Sequence, residues 1–193
     1  MLHELITLDK QILLWINGMN TPFLDFVMYW ISERFVWIPL YLWLIWLMWK
    51  HYGKQIWLIL AGVVLMMLIS DMGTVHLFKN IFHRFRPCHN AEIGPLIHLV
   101  KGHCGGSYGF VSSHASNSFS VTLFSVLLLR RNYHWLPWVL FTWCSAVSFS
   151  RIYLGVHFPA DVFVGACWGM LSAVIVVFVI KKFLKPGMVG KNS

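Results

Sequence analysis

Five apolar stretches, at roughly residues 34–50, 56–78, 114–130, 135–151 and 160–182, constrain this 193-residue chain more than any other feature. Each approaches or exceeds the ~20 residues that carry an α-helix across the hydrocarbon core of a bilayer. A soluble domain with 58% hydrophobic and 11% charged residues would expose large apolar patches. The expected fold class is therefore all-α: a polytopic membrane helical bundle of about five to six transmembrane helices. Residues 22–32 are also apolar, but Asp25 and Glu33-Arg34 break them, and they are not counted as a separate span. The length fits one domain over 1–193.

Residues 2–17 carry a helical pattern, with His3, Glu4, Thr7, Lys10 and Gln11 on one side and Leu5, Ile6, Ile12, Leu13 and Ile16 on another. Asn17-Gly18 reads as its stop. Segment 1–18 is expected to lie in the membrane interface as an N-terminal amphipathic helix; a helix packed on the bundle satisfies the same pattern. Glu4, Asp9 and Lys10 leave no long apolar run there for a cleavable signal peptide.

The net charge of +8 sits at span ends and not in a stripe, which argues against a nucleic-acid partner. Lys50 and Lys54, Arg130 and Arg131, and Lys181, Lys182 and Lys185 all fall on one side of the expected topology. The positive-inside rule makes that side cytoplasmic. Three polar clusters then fall together on the other side: Lys79 with Arg86-Pro87; Ser112-Ser113-His114; and Ser150-Arg151 with His157 and Asp161.

Each cluster has a bland reading beside a chemical one. Lys79 and Arg86, seven apart, would share a helix face with His83; they suit phosphate oxygens or a snorkelling basic collar. Ser112 or Ser113 is a natural N-cap, and the helix start behind it suits an anion, with His114 beside it or merely incidental. His157 and Asp161 fit an oriented imidazole nucleophile or a structural hydrogen bond. All three bland readings would have to fall on one membrane side by chance, and charge near hydrocarbon is costly and usually functional. In the last stretch, Gly165, Gly169 and Ala173 share a face with Asp161 and predict close packing on a neighbouring helix.

With these motifs in order, the chain resembles the type-2 phosphatidic acid phosphatase superfamily, in its bacterial membrane-bound branch. That family carries Lys, six residues, Arg-Pro; then Pro-Ser-Gly-His; then Ser-Arg, five residues, His, three residues, Asp. The first and third are kept at Lys79, Arg86-Pro87, Ser150-Arg151, His157 and Asp161, while the second reads Val111-Ser112-Ser113-His114 and departs at two positions. The resemblance implies that His157 attacks phosphorus and forms a phosphohistidine. It implies that Asp161 orients His157, and that His114 protonates the leaving oxygen and then activates water. Lys79, Arg86, Arg151, Ser112 and the backbone amide of residue 113 would hold the phosphoryl oxygens, and the Ser113 hydroxyl could join them. Neither a cofactor nor a metal is required by this scheme.

The implied function is a lipid phosphate or diphosphate phosphatase in the bacterial inner (cell) membrane, multi-pass, with its site facing the periplasm or outside. Its partners are the bilayer and a lipid substrate. Undecaprenyl diphosphate or lipid A phosphate is favoured, with phosphatidylglycerol phosphate and phosphatidic acid as further candidates. A lipid phosphotransferase and a non-catalytic lipid-phosphate binder remain alternatives. Segment 79–113 is expected to be the outer-side active-site loop. Within it Cys88 and Cys104 are predicted to form a disulfide, worth about 3 kcal/mol for a loop of that size; a zinc site with His89, His98 or His103 matches no common ligand spacing.

Overall fold

The computed structural model describes residues 2–102 and 104–184; His103 and Lys185 lie outside the described residues. The chain is an all-helical bundle, as expected. Helix α1 spans Leu2–Asn17, α2 Pro22–Ser32, α3 Ile38–Tyr52, α4 Ile56–Met72, α5 Ser113–Leu129, α6 Leu136–Tyr153 and α7 Pro159–Lys181. Two helical stretches, Arg34–Phe82 and Pro159–Lys181, are long and apolar enough to cross a membrane. At 11 residues α2 is about 16 Å long, too short to cross. Thr21 caps its start, its hydroxyl accepting from Leu24 N at 3.2 Å.

Helix α4 does not stop where its apolar run ends. A π-helical segment, Gly73–Lys79, and a final turn, Asn80–Phe82, carry it on to His83, which ends it in the left-handed region (φ 45°). Helices α5 and α6 carry many serines and remain buried, because hydroxyls return to carbonyls: Ser118 to Ala115 O, Ser120 to Asn117 O, Thr122 to Leu140 O and Ser150 to Val147 O. Polar groups satisfied in this way are tolerated in an apolar interior.

The tightest contact joins α5 to α7. The small-residue face of α7 is what permits it. A Cβ on Gly165 would lie 2.6 Å from Ser112 O, and one on Gly169 would overlap Ser116 O outright. Around this contact one apolar core gathers Leu44, Ile59, Met66, Phe124, Leu140 and Val176. A second, smaller core at the other end holds Leu13, Ile16, Ile93, Tyr153, Phe158 and Val162.

Helix α1 docks on that second core, with Asp9, Leu13, Ile16 and Asn17 buried. Its inward face is therefore centred on an acid and includes only part of the expected apolar side. Leu5, Ile6, Leu8, Ile12 and Trp15 stay exposed, which leaves an apolar outer face. Asn17 fixes its end: Nδ2 donates to Tyr153 O (2.7 Å) and His98 O (2.9 Å), and Oδ1 accepts from His98 N (2.8 Å).

Gly169→Val forces β-branched bulk against the α5 backbone, and overpacking costs about 1–3 kcal/mol or more. The expected result is a melting temperature in detergent lowered by roughly 5 °C or more. Gly106→Ala, where a Cβ meets nothing within 4 Å, should leave it unchanged.

Candidate active site

The end of α4, the starts of α5 and α7 and the end of α6 meet at one end of the bundle, and the connection 83–112 folds back over them. This connection is held in register by a short antiparallel pairing. Arg86 N donates to Ser107 O (3.0 Å), Gly109 N donates to Arg84 O (2.9 Å), and Phe85 bridges Tyr108. A disulfide joins Cys88 to Cys104 across the fold, with their Cα atoms 6.2 Å apart. It occupies both sulfurs, so only His89 of the nearby group Cys88, His89 and Cys104 remains as a metal ligand. His98 is engaged elsewhere, with Nε2 2.9 Å from Asp25 Oδ2.

Extended backbone sends residues two apart to the same side. Arg84 and Arg86 accordingly both reach inward, and Pro87 holds Arg86 extended (φ −63°, ψ 156°). The expected shared helix face of Lys79, His83 and Arg86 is not formed, because the helix ends at Phe82. Lys79 arrives from the helix and Arg86 from the returning chain. His83 instead lies edge-on to Tyr108, with ring centroids 4.9 Å apart.

His157 stands in the α6–α7 turn and is almost fully buried. Its Nε2 is 3.3 Å from Arg86 Nη1. A guanidinium has no acceptor, so Nε2 must present its lone pair and the ring proton resides on Nδ1. Nδ1 faces Asp161 Oδ2 at 3.6 Å, too far for a hydrogen bond, and the Gly109 backbone interacts with the ring and favours its protonated form. Burial is the first cause that depresses the His157 pKa well below its ordinary value, and the charges of Arg86, Arg151 and Lys79 add to it. The imidazole is therefore neutral near pH 7. Burial likewise lowers the pKa of Arg86, opposed by Asp161.

Asp161 is fully buried and accepts one bond on each oxygen. Oδ2 accepts from Phe158 N (3.0 Å) and so caps α7, and Oδ1 accepts from Arg84 Nη1 (2.7 Å). Arg84 Nη2 donates in turn to Asp9 Oδ2 (2.6 Å), and Asp9 Oδ1 accepts from Ala160 N (2.8 Å). The Arg84 guanidinium lies 4.1 Å over the Phe158 ring. Helix α1 thus reaches the site through Asp9. Sequence reasoning passed over both Arg84 and Asp9, and their signals were an arginine two before Arg86 and an acid on the inward side of α1.

The other expected residues divide. Lys79 Nζ donates to Ser113 Oγ (3.0 Å), which also lies 3.1 Å from Thr74 Oγ1. Arg151 Nη1 donates to Ser32 Oγ. Ser112 is buried as the N-cap of α5: its hydroxyl accepts from Ala115 N (3.4 Å), and its amide donates to Asp161 O (2.9 Å). Its hydroxyl hydrogen remains available to a further acceptor. His114, in the first turn of α5, lies within electrostatic range of Arg151, His157, Arg34 and Arg86. Among the described residues, Lys79, Arg86 and Arg151 form no ion pair with a carboxylate. The Nε atoms of Arg86 and Arg151 are buried with no acceptor. Three cations without a carboxylate partner thus gather around a neutral imidazole, an arrangement whose charge suits a multiply charged anion.

Residues 57–185 match the family model of the PAP2 superfamily. A lipid A 4'-phosphatase of Porphyromonas gingivalis is 33% identical over 171 residues, 88% of this chain and 72% of that protein. A lipid A 4'-phosphatase of Bacteroides thetaiotaomicron is 30% identical over 184 residues, 94% of this chain and 81% of that protein. The crystal structure of a transmembrane PAP2-type phosphatidylglycerolphosphate phosphatase from Bacillus subtilis aligns with a TM-score of 0.72 at 23% identity, covering 95% of this chain and 90% of that one. At that identity the likeness speaks for the fold alone.

The disulfide is checked by alkylating unfolded protein before and after reduction and weighing it. Without reductant only Cys144 and Cys167 should take label; four labels without reductant would refute the bridge.

Proposed function

The chain belongs to the PAP2 superfamily, and from that premise we propose that it is a membrane lipid phosphatase acting on the phosphorylated sugar headgroup of a lipid of the lipid A type. The observation that carries the reading is His157, with its Nε2 lone pair beside Arg86 and its Nδ1 proton toward Asp161. The sugar-lipid substrate is favoured by the two relatives named lipid A 4'-phosphatases, at 33% and 30% identity.

In this reading a phosphomonoester seats its oxygens among Lys79, Arg86 and Arg151. The Ser113 hydroxyl and the first amides of α5 assist. Ser112 contributes as the cap that fixes those amides. His157 Nε2 attacks phosphorus as the bond to the leaving oxygen breaks, and the proton carried in by the phosphomonoester monoanion passes through His114 to that oxygen as it departs. Asp161 accepts from Nδ1–H as the ring gains positive charge. Water, giving its proton to His114, then attacks the phosphohistidine, and inorganic phosphate leaves with His157 restored. The three cations stabilise charge on the equatorial oxygens throughout, so the scheme calls for no metal.

In this reading the protein is a multi-pass enzyme of the bacterial inner membrane with its site outward. Lys50, Arg130 and Lys181 stand at the helix ends remote from His157, which supports the orientation. The exposed apolar face of α1 supports its lying in the lipid interface.

The test is phosphate release by detergent-purified protein, with chelator present, from a phosphorylated glucosamine lipid, undecaprenyl diphosphate, phosphatidylglycerol phosphate and phosphatidic acid. Chelator-resistant release, fastest from the sugar lipid and lowered about 10³-fold or more in His157→Ala, is expected. No release from any lipid by folded protein would overturn the reading. Arg84→Met should lower kcat roughly 10–100-fold, the range for losing a group that orients a reacting one. KM should move less than about threefold, and Arg84→Lys should recover part of kcat. Equal losses in kcat/KM arising wholly from KM would instead make Arg84 a substrate contact.

A further inference from the structure

A cavity of about 330 Å³ opens at Ser113 and His114 and runs inward between α3, α4, α5 and α6. Its walls have a definite chemistry. One side is aromatic and rigid. Trp143 lies edge-on to Trp37 (5.7 Å) and to Tyr41 (6.0 Å), and Trp37 Nε1 donates to Ile31 O (2.8 Å). The opposite side carries a fixed amide–carboxylate pair: Asn117 Nδ2 donates to Asp71 Oδ1 (2.9 Å), and Ser70 Oγ donates to Asn117 Oδ1 (2.6 Å). Arg34 also lines the cavity, and the indole N–H of Trp143 is buried with no acceptor.

Position decides which part of a substrate goes there. In phosphoryl transfer the attacking and leaving atoms lie roughly in line through phosphorus. With His157 as nucleophile, the leaving oxygen must point toward His114, and the cavity begins at His114. Composition decides which alcohol fits. A second phosphate would meet the Asp71 carboxylate as well as Arg34, so the cavity offers a diphosphate no net positive charge. A bare glycerol ester would leave Asp71 and Asn117 without hydroxyl partners. A pyranose ring offers flat C–H faces to the aromatic wall and hydroxyl and amide groups to the polar one.

Resting on the phosphatase reading above, we propose that this cavity is the leaving-group subsite, that it holds a hexosamine ring, and that Asp71 and Asn117 set the preference for sugar lipids over glycerolipids. Neither residue touches the phosphoryl group. Their effect is on selectivity, by hydrogen bonds whose loss is worth about tenfold or more in discrimination.

The experiment compares kcat/KM for a phosphorylated N-acylglucosamine lipid and for phosphatidic acid in the same mixed micelles, for wild type and Asp71→Ala. Asp71 is exposed, so the substitution leaves the core untouched. The wild type should prefer the sugar lipid at least tenfold, and Asp71→Ala should shrink that ratio about tenfold. A second measurement does not depend on the variant's folding: the dephosphorylated glucosamine lipid should inhibit wild-type turnover of phosphatidic acid competitively, and diacylglycerol should inhibit it at least tenfold more weakly. A wild type that prefers the sugar lipid, with a ratio unmoved in Asp71→Ala or with no inhibition by the dephosphorylated sugar lipid, overturns the subsite and leaves the lipid A reading standing. A wild type that prefers phosphatidic acid overturns both.

Discussion

A carboxylate with no access to water sits where α7 begins, and most of the site depends on how Asp161 is satisfied there. An isolated buried charge costs several kcal/mol even after relaxation. Asp161 avoids that cost by accepting from Phe158 N and Arg84 Nη1. The first bond caps a helix, and the second imports a cation from a loop. Arg84 in turn carries one more donor pair than Asp161 can use, and Asp9 takes it. Because Asp9 also accepts from Ala160 N, the N-terminal helix closes the same helix end that presents Asp161. Helix α1, lying over the second apolar core, is thereby tied to the helix start that holds Asp161.

The second constraint is steric. His114 lies in the first turn of α5 and His157 just before α7, and their spacing follows from how closely α5 approaches α7. Gly165 and Gly169 allow backbone-to-side contact at Ser112 and Ser116 that no larger residue admits. The bond from Ser112 N to Asp161 O (2.9 Å) then ties the two helix starts together. Two separate sequence features, a stripe of small residues and an N-capping serine, combine into one distance.

Much of this was legible because the signals are local. Apolar runs gave the helices, Asn17-Gly18 gave the end of α1, and the fixed spacings within each polar cluster gave His157, Asp161, Arg151, Lys79 and Arg86. The small-residue face of α7 was visible as a four-residue period. What stayed hidden is non-local or depends on how a helix ends. The bonds of Arg84 to Asp9 and Asp161 cross 75 and 77 residues, and no spacing announces them. The helical-face argument for Lys79 and Arg86 failed because His83 adopts a left-handed backbone, which no periodicity encodes. The inward face of α1 is set by Asp9 and its remote partner, so the apolar pattern alone points the helix only approximately. Ser112 shows a subtler case: its capping role was readable, but not the bond from its amide to Asp161 O.

The distribution of charge explains why one arginine near the site differs from the others. Asp9 and Asp161 share Arg84, two acids about one cation, and this group is saturated. Lys79, Arg86 and Arg151 are left to serines, a carbonyl and the lone pair of His157. The charge of Asp161 still reaches Arg86 and supports its basicity. Arg84 thus does two things with one side chain: it stabilises the buried carboxylate, and it leaves Lys79, Arg86 and Arg151 without an acid to pair with. The Nε groups of Arg86 and Arg151, buried and without acceptors, mark where that uncommitted charge is directed. An anion with several oxygens satisfies those donors together, and a singly charged or monodentate ligand satisfies only some of them, so the arrangement discriminates by geometry before any chemistry begins.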